Sequence, residues 1–312
     1  MIRRFAFLAL VLGAACHGKH GDAYKFATLV ARGDRACATM KDGSVRCWGK
    51  TGARGDRKPT VVEGLTGASK VCVAGDAVCA LGKDGRASCL GTTVEHAGDL
   101  ACSTNRACAI ADGKVLCWTA HRTPAPVQGT NGATSIAVGE ATACAILVDG
   151  SVSCWADGDA ALVAGLTASA IAIGGRHTCA VTKEQTVACF GANDDGELGS
   201  GDQASATPVA VPGVVGATAI ACGEHHSCAR VSDGAIFCWG KNDVHQSRLA
   251  PSLTAPPTRV DGLYEADGVA LGDDFTCALM QDGWVRCFGV NDWGQLGDGT
   301  TEIRNVPTPI TL

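Results

Sequence analysis

Short runs of apolar and β-branched residues recur along the chain, and most are joined in pairs by an Asp-Gly dipeptide. The stretch CAILVDGSVSCW at residues 144–155 is typical. Asp-Gly between two such runs predicts a β-hairpin, because glycine readily adopts the positive φ that a tight turn requires. Six segments have this dipeptide, and a seventh has Lys183-Glu184-Gln185 in its place. The pattern therefore predicts seven hairpins.

Each predicted hairpin carries two cysteines. They are ten residues apart in six hairpins and nine apart in the third, whose turn is one residue shorter. Residues opposite each other on paired strands have Cβ atoms about 4.5–5.5 Å apart, and the closer pairs are within reach of a disulfide. We therefore predict one disulfide per hairpin: Cys37–Cys47, Cys79–Cys89, Cys108–Cys117, Cys144–Cys154, Cys179–Cys189, Cys228–Cys238 and Cys277–Cys287.

Each hairpin is flanked by two further predicted strands. An apolar segment ending in glycine precedes the first cysteine, as at 137–139, and a segment with Pro and Val, such as 208–211, lies further upstream. Proline suits an outermost strand, where its missing N–H breaks no ladder bond. Four strands repeated seven times, at intervals of 29 to 49 residues, indicate an all-β fold: a seven-bladed β-propeller with one disulfide in each blade. The alternative, a β-solenoid, has a shorter and more constant period.

Three cysteines remain when the hairpin pairs and Cys16 are set aside, and all three fall in predicted innermost strands. Cys72 and Cys102 belong to consecutive units, whose inner strands converge near the propeller axis, so we predict a Cys72–Cys102 disulfide between blades. Cys72 lies seven residues before the first cysteine of its hairpin and Cys102 lies six before. That offset turns the two side chains to opposite faces of their strands. Cys222 is predicted to be a buried free thiol.

The N-terminal residues have the features of a secretion signal. Arg3 and Arg4 precede an apolar stretch at 5–12 that is too short to span a bilayer, and small residues then lead to Cys16. This order predicts a bacterial lipoprotein signal, in which residues 1–15 are removed and Cys16 is lipidated. A plain cleaved signal peptide is the alternative.

Cysteine content agrees with secretion. The chain has 18 cysteines among 312 residues, and no two of them have the C-x2-C spacing of a zinc site. Disulfides persist in oxidising compartments, so we expect the protein outside the cytoplasm, at the outer membrane or cell surface, or else periplasmic or secreted. Residues 16–24 are then a short linker, and residues 25–312 form the propeller.

Charge disfavours a nucleic-acid partner. The formal net charge is −5, and removal of Arg3 and Arg4 with the signal segment makes it −7. A weakly acidic protein without a basic run has no electrostatic attraction to a phosphate backbone. We expect membrane contact through the N-terminal lipid alone.

The sequence has few candidates for catalysis or metal binding. It contains no G-x-S-x-G motif, and no paired carboxylates stand out for acid–base work. His225 and His226, beside Glu224, form the one adjacent histidine pair, and a metal would need a further ligand. The Asp-rich loop at 193–197 lacks the spacing of a calcium loop. We therefore predict a non-enzyme without catalytic residues, metal or cofactor.

The later repeats resemble the regulator-of-chromosome-condensation repeat, whose pattern is H-T-x-A-L, then D-G-x-V-x-x-W-G-x-N-x-x-G-Q-L-G. Residues 275–297 contain FTCAL, DGWVRCFG and NDWGQLG, and residues 177–199 contain HTCAV and FGANDDGELG. The resemblance covers about residues 25–312 and is degraded in repeats two to four. It implies a seven-bladed propeller, in which His177 and His226 occupy the family's own histidine position.

The resemblance does not imply an activity. Nuclear members exchange nucleotide on a small GTPase and bind chromatin, whereas secreted bacterial propellers of similar repeat include an inhibitor of β-lactamases. Cysteine-rich, lipoprotein-like versions are similar to bacterial surface proteins of unknown role. We predict a monomeric, non-catalytic module that presents propeller loops to a protein or extracellular ligand. A secreted inhibitor of an extracellular enzyme is the alternative.

Two tryptophans are candidate anchors for such a partner. Trp284 follows a hairpin turn and Trp293 lies in a variable loop, and the repeat pattern accounts for neither. Exposed aromatic residues often dominate binding surfaces. Packing against a neighbouring blade is the competing interpretation.

Overall fold

The computed structural model describes residues 25–120, 122–247 and 252–312. Every regular element in these ranges is a β-strand, and the strands form antiparallel blades around a ring. The described residues include no helix that is long and apolar enough to span a membrane. The predicted signal segment, its lipidation site Cys16 and the linker that follows lie outside the described residues.

Each blade has four strands, which pair in chain order from the central channel to the rim. The innermost strands are β1 (Phe26–Arg32), β5 (Ala68–Ala74), β9 (Ala97–Cys102), β13 (Ala133–Val138), β16 (Ala161–Ile173), β20 (Ala217–Cys222) and β24 (Ala266–Leu271). The second strands are β2 (Arg35–Met40), β6 (Ala77–Gly82), β10 (Arg106–Ala111), β14 (Ala143–Leu147), β17 (His177–Thr182), β21 (His226–Val231) and β25 (Phe275–Met280). The third strands are β3 (Ser44–Thr51), β7 (Ala87–Cys89), β11 (Lys114–Thr119), β15 (Ser151–Trp155), β18 (Thr186–Gly191), β22 (Ile236–Lys241) and β26 (Val285–Gly289). The other outermost strands, besides the first part of β16, are β4 (Arg54–Thr66), β8 (Thr92–Val94), β12 (Ala125–Pro126), β19 (Ser205–Val215), β23 (Thr254–Arg259) and β27 (Arg304–Pro309).

Strand β16 belongs to two blades. Its first residues pair with β15 as the outermost strand of blade 4, and residues 168–173 pair with β17 as the innermost strand of blade 5. Six hydrogen-bonded sheets therefore hold seven blades. The predicted all-β, seven-bladed fold is confirmed. In blade 5, which lacks Asp-Gly, Gln185 adopts the left-handed conformation with φ of 60°, so the hairpin forms there as well.

The blades join through one repeated backbone contact. We call the boundary between two consecutive blades a seam. At each seam, a backbone carbonyl in the hairpin turn of one blade accepts a hydrogen bond from a backbone N–H at the start of the next blade's inner strand. Between blades 6 and 7, the N–H of Ala266 donates to Gly234 at 2.9 Å. Between blades 7 and 1, the N–H of Phe26 donates to Gly283, also at 2.9 Å. The ring therefore closes as its other seams do, and strand β27 completes blade 7 without joining blade 1.

The core lies between blades rather than at one centre. At the seam of blades 7 and 1, Phe26 and Trp48 pack with Phe275 and Leu296, and all four are buried. The rings of Phe26 and Trp48 meet edge to face, with centroids 6.1 Å apart, which is a favoured aromatic geometry. The aromatic residue that follows the second cysteine of a hairpin thus fills the space between two sheets.

All seven predicted hairpin disulfides are present. Their Cα–Cα distances are 4.0–4.5 Å, the separation of directly opposed residues in the closer type of antiparallel pair. In the third hairpin, Cys108 and Cys117 still face each other although they are nine residues apart. The shorter turn therefore compensates for the missing residue.

The structure also joins Cys72 and Cys102, with Cα atoms 5.9 Å apart, across the seam of blades 2 and 3. Cys72 lies opposite Cys79, whereas Cys102 lies opposite Ala107, one position before Cys108. Consecutive blades stack face to face, so the side chains that meet at a seam leave opposite faces of their sheets. The one-residue offset places the two sulfurs toward each other. Cys222 carries a free thiol, as predicted, but its side chain is partly buried rather than buried.

Candidate functional site

The two faces of the ring differ in construction. On one side lie the Asp-Gly turns and the links between blades; we call this the turn face. On the other side lie the turns between first and second strands and the loops between third and outermost strands; we call this the loop face. Loops position functional residues more often than strands do, so the loop face is the candidate site.

Blades 5, 6 and 7 carry the long connections of this face, at residues 192–204, at 242–247 with 252–253, and at 290–303; residues 248–251 lie outside the described residues. A buried asparagine near the start of each loop accepts a hydrogen bond through Oδ1 from a backbone N–H five residues later. The side-chain Nδ2 also donates a hydrogen bond across the loop; Nδ2 of Asn193, for example, donates to the carbonyl of Gly201 at 3.0 Å. These bonds hold the loops in defined shapes. The recurring pairs are Asn193–Leu198, Asn242–Ser247 and Asn291–Leu296, at 2.9–3.0 Å.

Glycines at the ends of the inner strands bring acidic residues to the central channel. A Cβ at Gly223 would lie 2.3 Å from the carbonyl oxygen of Gly272 in the next blade, a separation that a side chain cannot adopt. The turns of neighbouring blades therefore touch. Glu224 and Asp273, which directly follow these two glycines, both line the channel mouth.

The channel mouth is a cavity of about 320 Å³ with charges of both signs. Arg32 of blade 1 crosses it to blade 4. Its Nη1 lies 3.0 Å from Oε1 of Glu140, and its Nη2 donates to the carbonyl of Val138 at 2.7 Å. Glu140 is fixed in turn by Thr104, whose N–H and hydroxyl donate to the same oxygen at 2.9 and 2.7 Å. Arg32 therefore braces opposite sides of the ring.

Asp273 is the most perturbed carboxyl of the mouth. Burial raises its pKa to about 6, and the negative charges of Glu224, Asp34 and Asp274 act in the same direction. The nearby Arg32 acts against them. Among the residues that line the mouth, the five acids Asp34, Asp76, Glu140, Glu224 and Asp273 outnumber the three cations Arg32, Arg35 and Lys50.

The two family-position histidines lie inside blade seams, away from the mouth surface. Nε2 of His177 lies 2.8 Å from Oγ of Ser227 in the next blade, and that hydroxyl donates to the carbonyl of Glu197 at 3.1 Å. Burial lowers the pKa of His177 to about 4 and that of His226 to about 3. Both are neutral at physiological pH and connect consecutive blades. His225, by contrast, is partly exposed and lies near Asp195.

The two candidate anchor tryptophans lie on opposite faces. Trp284 is on the turn face with 39% of its surface exposed. Trp293 is on the loop face and is partly buried at the seam of blades 7 and 1, with Nζ of Lys50 5.0 Å from its ring centroid. The structure therefore does not unite them in one surface. Sequence reasoning missed Arg32, the last residue of β1, and Glu140, the second residue after β13.

Comparison with known proteins agrees with this geometry. Models of the "Regulator of chromosome condensation (RCC1) repeat" match residues 168–197, 217–246 and 267–295, and also 186–230. The matched segments belong to blades 5 to 7, which carry the long loops. No curated protein sequence matches the chain significantly.

Solved structures of similar fold cover nearly the whole chain. Prp20p from Saccharomyces cerevisiae, described with its binding to Gsp1p and histones, is 19% identical with a TM-score of 0.66, over 92% of this chain and 77% of that one. Human WBSCR16 is 16% identical with a TM-score of 0.62, over 92% and 83%. The ectodomain of the Arabidopsis thaliana receptor kinase ACR4 is 18% identical with a TM-score of 0.55, over 85% and 98%. At these identities the likeness establishes the fold.

Proposed function

We propose that this RCC1-repeat propeller is a non-catalytic binding module outside the cytoplasm, which presents its loop face to a protein or extracellular ligand. The observation that carries the proposal is the arrangement of blades 5 to 7. Buried asparagines hold the described residues of their long loops beside a charged channel mouth. Rigid polar loops of this kind bind at a low entropic cost, because little ordering remains to be done.

Cysteine chemistry supports the proposed compartment. Sixteen of the 18 cysteines form eight disulfides in the folded chain. Such a set persists in an oxidising environment. We further propose that Cys16 is lipidated and holds the propeller at a membrane surface. Metabolic labelling with a fatty acid tests this, with Cys16→Ala as the unlabelled control.

The relatives favour interaction as the role. Prp20p binds Gsp1p and histones, and the ACR4 propeller is the ectodomain of a receptor kinase. Gsp1p and histones are partners of Prp20p and are not assigned to this chain. For this chain we propose only that a propeller face binds a partner, and that this partner is suited to an acidic module outside the cytoplasm.

The test compares the two faces of the oxidised full chain. Asp194 and Asp292 are exposed in the long loops, and D194K/D292K changes the charge of the loop face. The matched control E95K/E184K makes the same change of net charge at two exposed residues of the turn face. We expect proteins cross-linked to the wild type to be lost with the loop-face variant and retained with the control.

Loss with the turn-face variant alone, or equal retention by both, would contradict a loop-face partner. Release of an unlipidated form that lowers the activity of a captured enzyme would favour the alternative role of a secreted inhibitor.

A further inference from the structure

The seams that follow blades 6 and 7 share a polar link between a loop and the next blade. Gln246 and Gln295 accept a backbone hydrogen bond through Oε1 from the residue two positions earlier. Their amide nitrogens point across the seam to a carboxylate. Nε2 of Gln246 lies 3.1 Å from Oδ1 of Asp274, and Nε2 of Gln295 lies 3.5 Å from Oδ1 of Asp34. An amide donor therefore meets an aspartate acceptor at both seams.

The seam of blades 5 and 6 departs from this arrangement at both positions. Glu197 replaces the glutamine and His225 replaces the aspartate. Oε2 of Glu197 accepts from the N–H of Asp195 at 2.8 Å, as the glutamine oxygen does. Its Oε1 takes the place of the amide donor and lies 3.9 Å from Nδ1 of His225. That separation is beyond hydrogen-bond distance.

Burial makes this carboxylate costly. Glu197 is only 3% exposed, and a buried charge is stable in a fold when it is paired or bound to a metal. Arg176 of the same blade is highly exposed and contacts Asp194 at 3.6 Å. A cation beside Oε1 of Glu197 would offset its desolvation.

A third substitution adds another ligand. Asp195 occupies the position of Val244 and Trp293 in the two sister loops. Its Oδ2 lies 3.0 Å from Nδ1 of His225. One seam therefore has three departures from its sisters, and each introduces a side chain that coordinates metals.

We propose that Asp195, Glu197 and His225 bind a divalent transition-metal ion, with zinc as the best fit. Their donor atoms all lie within 4.8 Å of one another. Bonds of about 2.0–2.2 Å to a tetrahedral zinc place its ligands about 3.4 Å apart, between the two separations of 3.0 and 3.9 Å that Nδ1 makes. The imidazole favours a transition ion over magnesium or calcium.

The exposure of the ligands indicates how the site is used. The side chains of His225 and Asp195 are 41% and 33% exposed, whereas that of Glu197 is 4% exposed. Glu197 thus anchors the ion from within the seam, and the two others leave coordination positions open to water on the loop face. Two carboxylates and a neutral imidazole balance the charge of a divalent ion. This site stands independently of the proposed function.

The other clusters of ligating residues do not offer the same chemistry. Cys72, Cys79 and Cys102 lie together, but all three are in disulfides. Cys222 lies near His177 and Cys179, and burial raises the pKa of its thiol to about 12, which disfavours the thiolate that binds metals.

The test uses the oxidised full chain after treatment with a chelator. Isothermal titration with zinc chloride measures the stoichiometry and affinity of zinc binding. The melting temperature with and without zinc measures how much zinc binding stabilises the folded chain. Glu197→Gln restores the residue of the sister loops, and the double variant E197Q/H225D restores the complete glutamine–aspartate pair. Both are expected to fold, because the chain already uses that pair twice. His96→Asn, at an exposed histidine with φ of 55°, is the matched control.

We expect Glu197→Gln to weaken zinc binding at this site at least tenfold, since even outer-sphere changes cost about 10–100-fold. The double variant should bind one zinc fewer than wild type and lose the zinc-dependent rise in melting temperature. His96→Asn should match wild type in both. Equal stoichiometry and affinity in wild type and the double variant, or no binding by wild type at micromolar zinc, would overturn the proposal.

Discussion

Nε2 of His226 in blade 6 lies 2.9 Å from Oγ1 of Thr276 in blade 7, and both residues are completely buried. The threonine hydroxyl donates its proton to the carbonyl of Gln246 at 2.7 Å. Its oxygen therefore accepts from the imidazole, which fixes the proton on Nε2. At the seam of blades 7 and 1, Phe275 and Ala36 occupy the same two positions and pack together. The hydrogen-bonded pair of one seam is thus replaced by an apolar pair at the next seam.

We expect Thr276→Ala alone to lower the free energy of unfolding by about 1–3 kcal/mol, because it leaves a buried imidazole N–H without an acceptor. The double variant H226F/T276A recreates the apolar pair of the last seam and should recover part of the loss. Denaturant unfolding of the wild type, both single variants and the double variant gives the coupling energy. Additive effects of the two substitutions would contradict the pairing.

Asp273→Asn should stabilise the protein at neutral pH. The pKa of Asp273 is raised to about 6, mainly by burial, from its ordinary value of 3.8. A carboxyl with a raised pKa in the folded state favours folding at low pH, and that contribution is lost as the pH rises through about 6. The gain in melting temperature from Asp273→Asn should therefore be large at pH 7.5 and vanish below about pH 4. Asp292→Asn, at an exposed loop position, is the control, and a gain that does not change with pH would contradict this assignment.

Cys222 should be unreactive in the native protein. Burial raises the pKa of its thiol to about 12, and the thiolate is the nucleophile in alkylation. At pH 8 we expect slow labelling of the folded chain by a maleimide and rapid labelling in denaturant without reductant. Mass spectrometry of the labelled peptide distinguishes Cys222 from Cys16, and Cys222→Ala removes the signal. Equally fast labelling in both states would show that the thiol is accessible.

The bridge between Cys72 and Cys102 should contribute more stability than a hairpin bridge. It closes a loop of 30 residues, for which the chain-entropy model gives about 3–4 kcal/mol, against about 3 kcal/mol for a separation of ten. We expect C72A/C102A to lower the free energy of unfolding in urea more than C144A/C154A does. A smaller loss would indicate that the seam of blades 2 and 3 is held mainly by its apolar contacts.

Local features of the fold were readable from the sequence. The hairpins and their disulfides depend on residues ten positions apart, and an Asp-Gly turn together with strand alternation places those residues opposite each other. The third hairpin shows this best, since Cys108 and Cys117 stay paired when the turn loses one residue. The number of repeated units then determined the number of blades. The units form a ring because each sheet has two apolar faces, and the neighbouring sheets of a ring cover both.

Contacts across seams and across the channel were decided by the tertiary structure. Arg32 and Glu140 are 108 residues apart, and nothing in either local sequence relates them. Glu197 and His225 belong to different blades, so their pairing emerges when corresponding seams are compared in space. The offset of Cys72 from Cys102 was ambiguous along the chain, since alternation within one strand assigns a face without stating which neighbour covers it. Sequence periodicity determines what each blade is, and the closure of the ring determines which side chains of different blades meet.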